Sequence, residues 1–173
     1  MSVVPGDPAS LSACAATAAS VGHRLAAVAA ALGPEVAALG EGWPGRVSVL
    51  TRRRGDALAT SAAATAAELE RVGRLLQDRA TDLADLHARA RSLEERAAAA
   101  GFVIRDDHVV PAYGVRGEAD AATEAAERAG ADALGSELEL LLAQHRRRRD
   151  FLLAELRDST ERLATLAHGL RRG

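Results

Sequence analysis

Gly40-Glu41-Gly42-Trp43-Pro44-Gly45 separates two alanine-rich segments of the same rhythm. Before it, apolar residues recur at alternating steps of three and four: Leu11, Cys14, Ala18, Val21, Leu25, Val28, Leu32, then Leu39. After it, the series is Leu58, Ala62, Thr65, Leu69, Val72, Leu76, Leu83, Leu86, Ala90, Leu93 and Ala97. That alternation is the seam of helices packed side by side. Three glycines and a proline in six residues do not continue a helix, so residues 40–45 read as a turn. The chain then folds one long helix back on another, with Trp43, its only tryptophan, at the tip.

Working outward, Asp7-Pro8 is a helix start, with Asp as N-cap and Pro at the first helical position. The first helix is expected over 8–39, kinked or interrupted at Gly33-Pro34. The second runs over 46–100, roughly 80 Å at 1.5 Å per residue, and stops at Gly101. Its weak spot is Arg52-Arg53-Arg54-Gly55, and Arg79 interrupts its seam, to snorkel to the edge or to mark a pairing site. Two β-branched runs around Asp106-Asp107 predict a small β-hairpin over 102–111, packed on a helix end. Helical composition resumes over 118–170, with its own seam of Leu138, Leu142, His145, Leu152, Leu156, Leu163, Leu166 and Leu170. Gly130 and Gly135 weaken that helix, and one bent helix is favoured over two.

The fold class is therefore all-α. The architecture is an elongated antiparallel helical hairpin, a short β-hairpin and a long C-terminal helix, kinked or straight, packing back. At 173 residues a single domain is expected. Hydrophobic residues make up 48% but aromatics only 2%, so the core is alanine and leucine, which suits close helix packing.

The first helix is shorter than the second, so Leu83, Leu86 and Leu93 need cover from the C-terminal helix or from another chain. Leu141 and Leu153 lie off the main C-terminal seam and widen its apolar face. Leu76, Leu83, Leu86, Leu93, Leu141 and Leu153 are the candidate partner-binding residues.

Composition excludes several function classes. The formal charge is −2, so nothing global recruits the chain to nucleic acid. Arg146-Arg147-Arg148-Arg149 spreads around a helix as a belt, with Glu137, Glu139, Asp150 and Glu155 near enough to pair with it. Cys14 in the seam reads as a small buried hydrophobe. The five histidines are dispersed and make no metal-ligand spacing, and no Ser-centred nucleophile elbow occurs. Gly40, Gly42 and Gly45 match G-x-G-x-x-G, but after a helix and around Pro44, where a phosphate loop is not built. No catalytic residue, cofactor or metal is expected. The N-terminus lacks a Sec-type signal, and no run of about 18 apolar residues is free of charge, so no membrane span is expected.

Trp43-Pro44-Gly45 between two heptad helices resembles the W-x-G turn of the WXG family of type VII (ESX-type) secretion proteins. The resemblance covers about 8–100, and the continuation is similar to longer actinobacterial members that add a hairpin and a helix. It implies a non-enzymatic protein acting by helix–helix binding, as substrate, co-secreted partner or targeting helper. The implied partner is a second copy, another helical secretion protein or a larger secreted effector, with a secretion ATPase nearby. It implies a secretion motif at Trp43 and Gly45, and a location in the cytoplasm or export without a Sec signal. The family's other export element, a Tyr with an acid four residues later, is absent: Tyr113 is followed by Gly117 and Glu118. A scaffold bundle with no secretion role, and an acidic-lipid or nucleic-acid binder using the arginine belts, are the alternatives.

Overall fold

The computed structural model describes residues 3–42, 45–112 and 121–172; side chains are described neither for 39–42 nor for 170–172. It holds three helices and one two-stranded antiparallel sheet: α1 (Pro8–Gly42), α2 (Arg46–Ala99), β1 (Phe102–Arg105), β2 (His108–Pro111) and α3 (Ala121–Arg172). The mostly helical class matches the expectation from composition. The chain divides into two compact units, to both of which α2 and α3 contribute. One comprises Met1–Pro8 and Ala80–Asp150, the other Ala9–Arg79 and Phe151–Gly173.

In the second unit α1 lies along the first half of α2 in antiparallel order. Ser12 Oγ donates to Gln77 Oε1 at 3.0 Å, and His23 Nδ1 lies 3.2 Å from Glu70 Oε1. The inward residues of α1 are Ala15, Gly22, Ala29 and Val36, each seven apart, with Leu11, Ala18, Leu25 and Leu32 half-buried between them. They meet small residues of α2. A Cβ placed on Gly22 would stand 3.1 Å from the Ala66 carbonyl oxygen, and one on Gly73 would stand 3.1 Å from that of Ala15. Gly55 faces the Val36 side chain more closely still. Backbones this near exclude larger side chains, so volume rather than hydrophobicity selects what faces inward.

That selection shifts the expected α1 seam by one residue at every second position. Leu11, Ala18, Leu25 and Leu32 are on it as read. Cys14 is exposed, not buried, as are Val21 at 37% and Val28 at 54%. On α2, Leu58 is also exposed, at 45%. Nor does Gly33-Pro34 end α1, which continues through Pro34 and into Gly40–Gly42. Glycine lowers helix stability by about 1 kcal/mol without forbidding the conformation.

The first unit is built on leucine. Leu83, Leu86 and Leu93 of α2 and Leu138 and Leu141 of α3 are almost fully buried. Each such side chain contributes roughly 1.5–3 kcal/mol. Leu93, Leu138 and Leu142 form one cluster, closed by Ile104 and Val109 of the hairpin, Leu134 and Val3. The hairpin forms over the expected residues, with Val103 opposite Val110 and Ile104 opposite Val109. Asp106 and Asp107, at φ 48° and 64°, form its two-residue turn with both centres left-handed. Gly101, at φ 80°, ends α2 as expected, and its carbonyl accepts from Ala112 N at 2.9 Å.

The N-terminal segment was not legible as part of a core. Val4 is buried, and its carbonyl accepts a hydrogen bond from His87 Nε2 at 3.0 Å. Gly6, at φ 113°, passes so close to Leu83 that a Cβ there would lie 3.0 Å from a leucine methyl. Leu83, Leu86 and Leu93 are thus covered within the chain itself. The C-terminal region is one helix, and its seam from Leu138 to Leu166 is buried or half-buried as read.

Candidate functional site

Of the predicted secretion motif, Trp43 lies outside the described residues, as does Tyr113. Gly45 is exposed immediately before α2. Of the six candidate partner-binding leucines, Leu76, Leu83, Leu86, Leu93 and Leu141 are buried, while Leu153 is 43% exposed. The five therefore serve the chain's own core in this conformation. Leu76 belongs to a cluster with Ala15 and Leu152 in the second unit.

An exposed apolar surface of the described residues is one that the sequence reading placed inside. Pro8–Ala38 is long and apolar enough to cross a membrane by length and composition, yet only 11% of its most apolar stretch is buried. The expected absence of a span rested on charge-free runs; averaged hydropathy admits this segment despite Arg24 and Glu35. The shifted seam turns Cys14, Val21 and Val28, seven apart, onto an open flank of α1. A second apolar area lies at the start of α2. Leu50, Leu58 and Ala57 line a groove of about 520 Å3 with Arg53, Arg54 and Gly169.

The polar features of the second unit are ion pairs between helices. Glu68 of α2 accepts from Arg71 Nη2 at 2.9 Å and from Arg162 Nε of α3 at 3.2 Å. Arg71 Nη1 in turn donates to Glu155 Oε2 at 2.7 Å. The Glu68 side chain is only 12% exposed. Arg71 above all, then Ser159 and Arg162, hold its carboxyl down at about 2, against the cost of burial. Glu68 and Arg162 also border a cleft of about 580 Å3 with Asp158, Glu161 and Leu166. Both cations there are already engaged by carboxylates, so the cluster ties α2 to α3 and leaves no activated nucleophile or base.

The arginine belt pairs in part as expected. Arg149 donates to Asp150 at 2.8 Å, but Arg148 pairs across to Asp82 of α2. Glu137 and Glu155 are taken by Arg96 and Arg71, not by the belt. Arg79 is buried, so it has not snorkelled to the edge. Among the described residues no three His, Cys, Asp or Glu side chains gather where a metal ion would sit. His145 is buried on the α3 seam, while His23, His108 and His168 are exposed and apart.

What the arrangement offers chemically is surface: a charge-poor helix flank and a basic-edged apolar groove. No family model, curated protein or solved structure matches the chain.

Proposed function

We propose that this is a non-enzymatic helical protein that works by helix-on-helix partner binding, in type VII (ESX-type) secretion, as substrate, co-secreted partner or targeting helper. The observation that carries the reading is the open flank of α1. A helix whose apolar stretch is 11% buried, with Val21 and Val28 at heptad spacing on its surface, has the composition of a docking face. The W-x-G tripeptide Trp43-Pro44-Gly45, which lies in the sequence between α1 and α2, supplies the secretion part of the reading. Alanine suits a helical partner better than lipid: it gains little by entering hydrocarbon and much by letting two helices approach closely.

The test is co-purification of the tagged full chain expressed with its neighbouring reading frames. A helical partner recovered with the wild type is lost with Val21→Arg plus Val28→Arg, while the melting temperature holds. Trp43→Ala keeps that complex and stops export. A wild type that recovers no partner, with Trp43→Ala lowering only the melting temperature, contradicts the reading.

A further inference from the structure

Beyond the α1 flank, we propose that the strap of residues 3–7 is an autoinhibitory cover, filling in cis a groove of the first unit that binds an extended apolar segment. The strap is non-helical backbone laid on the helical leucine core, and its contacts are of the kind that recognise a peptide. Val4 is buried, at 1%, while Pro5, Gly6 and Asp7 are exposed. One side chain therefore enters the groove and the rest of the strap faces solvent. His87 Nε2 donates to the Val4 carbonyl at 3.0 Å, which fixes the backbone and leaves the choice of side chain to the pocket. Val3 closes the cluster of Leu93, Leu138 and Leu142. Gly6, at φ 113°, lies over Leu83, where a Cβ would stand 3.0 Å from a leucine methyl.

The strap itself identifies what the groove takes. It asks for an extended chain, a β-branched residue with a free carbonyl, and, two positions on, a residue without a side chain. The ligand class is an extended segment of the pattern Val-Val-x-Gly. The strap is also held weakly enough to be displaced. Its outer side is exposed, so lifting it moves no helix aside. Burying a valine and making a hydrogen bond favour the closed state by roughly 30- to 1000-fold, before the ordering of the strap is counted against it. The open state is then on the order of 0.1–3% of molecules or more, a population that a ligand binding only the open state shifts.

The strap runs directly into α1 at Pro8, so it competes from within the chain at an effective concentration on the order of millimolar. A free peptide of the same pattern is thereby kept out of the wild-type groove. A partner that presents the pattern while held by a second contact competes on equal terms and replaces the strap.

Fluorescence anisotropy with a labelled peptide, Ser2-Val3-Val4-Pro5-Gly6-Asp7, tests the proposal on the full chain. Val4→Asp puts a carboxylate where the valine is buried and ejects the strap. Gly6→Val ejects it without a buried charge, through the positive φ and the Leu83 methyl. Both opened chains bind the peptide about tenfold or more tighter than the wild type does, since the competing strap is gone. Neither binds the same peptide carrying Val4→Asp. Adding His87→Leu weakens the peptide about threefold to tenfold, whereas His87→Gln, which keeps a donor, does not. The helical circular dichroism signal stays, because the strap contributes no helix. Opened chains that are folded and bind no peptide overturn the proposal, as does a wild type that binds it equally tightly. Loss of hydrogen-exchange protection at Leu93 and Leu138 in both opened chains overturns it too, because the strap is then core and not cover. Capture of a partner through Val21 and Val28 is read in a separate experiment, so the functional reading stands or falls apart from this one.

Discussion

The two units solve one packing problem with different side chains. Along α1 and the first half of α2, Gly22 meets the Ala66 backbone and Gly73 that of Ala15, and Ala29 and Ala62 are buried. In the unit of Ala80–Asp150, Leu83, Leu86, Leu93, Leu138 and Leu141 interlock under a hairpin and an N-terminal strap. Leucine gains stability from area removed from water; alanine and glycine gain it from closeness, and remove little area per residue. The leucine unit therefore buries most of its large apolar side chains, Leu140 excepted. The alanine unit turns small residues inward and leaves Val21 and Val28 outside. One part of the chain becomes a core, and the other retains a surface to offer.

Substitutions that enlarge or erase that contrast should follow a definite order. Leu93→Ala removes a side chain buried among Leu138, Leu142 and the hairpin, and should cost about 2–5 kcal/mol in chemical denaturation. Ala29→Gly, also buried but small, should cost only about 1 kcal/mol, through helix propensity. Equal costs at the two sites would erase the distinction.

Acid should act next. The Glu68 carboxyl is lowered from 4.5 to about 2 in the folded chain. The stabilisation from its pairing is therefore fully present above 4.5 and is lost as pH falls toward about 2. It is on the order of 2 kcal/mol, given the solvent around its half-exposed partner Arg162. Glu68→Gln should lower stability at pH 7 and flatten the acid limb of the stability curve. An unchanged limb would mean that the pairing with Arg71 and Arg162 does not persist in solution.

Glycines sharpen the comparison further. Gly22→Leu drives a side chain against the Ala66 carbonyl oxygen and should cost about 1–3 kcal/mol, despite leucine's better helix propensity. Gly135→Ala, where no atom lies within 4 Å of the new methyl, should stabilise by up to about 1 kcal/mol. Opposite signs from two helical glycines would establish that close approach holds α1 to α2. The smallest effect belongs to the hairpin. Asp107→Gly relieves a left-handed centre at φ 64° and should add a few tenths of a kcal/mol to stability.

How far the sequence reached follows the same division. Where leucine and β-branched residues carry the packing, hydrophobic rhythm identified the elements: the α3 seam, the Leu83–Ala97 run and both strands lie where the pattern put them. Where alanine and glycine carry it, ranking by hydrophobicity chose Val21 over Gly22 and Val28 over Ala29, one residue off in phase. A repeat of small residues at 15, 22 and 29 was the available signal, and it reads as composition until a partner backbone is placed beside it. The strap of Val3, Val4 and Gly6 was hidden because Pro5, Gly6 and Pro8 have the composition of a loop. Of the candidate site, Gly45 and Leu153 are at the surface and five leucines are core. The α1 flank emerged only once the seam was phased.

The most direct measurement of that phase is thiol labelling at two adjacent positions. Val28→Cys and Ala29→Cys are made separately, each with Cys14→Ser, and alkylated under native conditions in the dilute chain. If α1 turns its valines outward, the cysteine at 28 reacts at the rate of a free thiol, whereas the cysteine at 29 reacts only as fast as the helix opens. Adding a partner then slows labelling at 28. Equal and slow labelling at both positions would contradict the account, because the flank said to be open would be buried in the chain's own core.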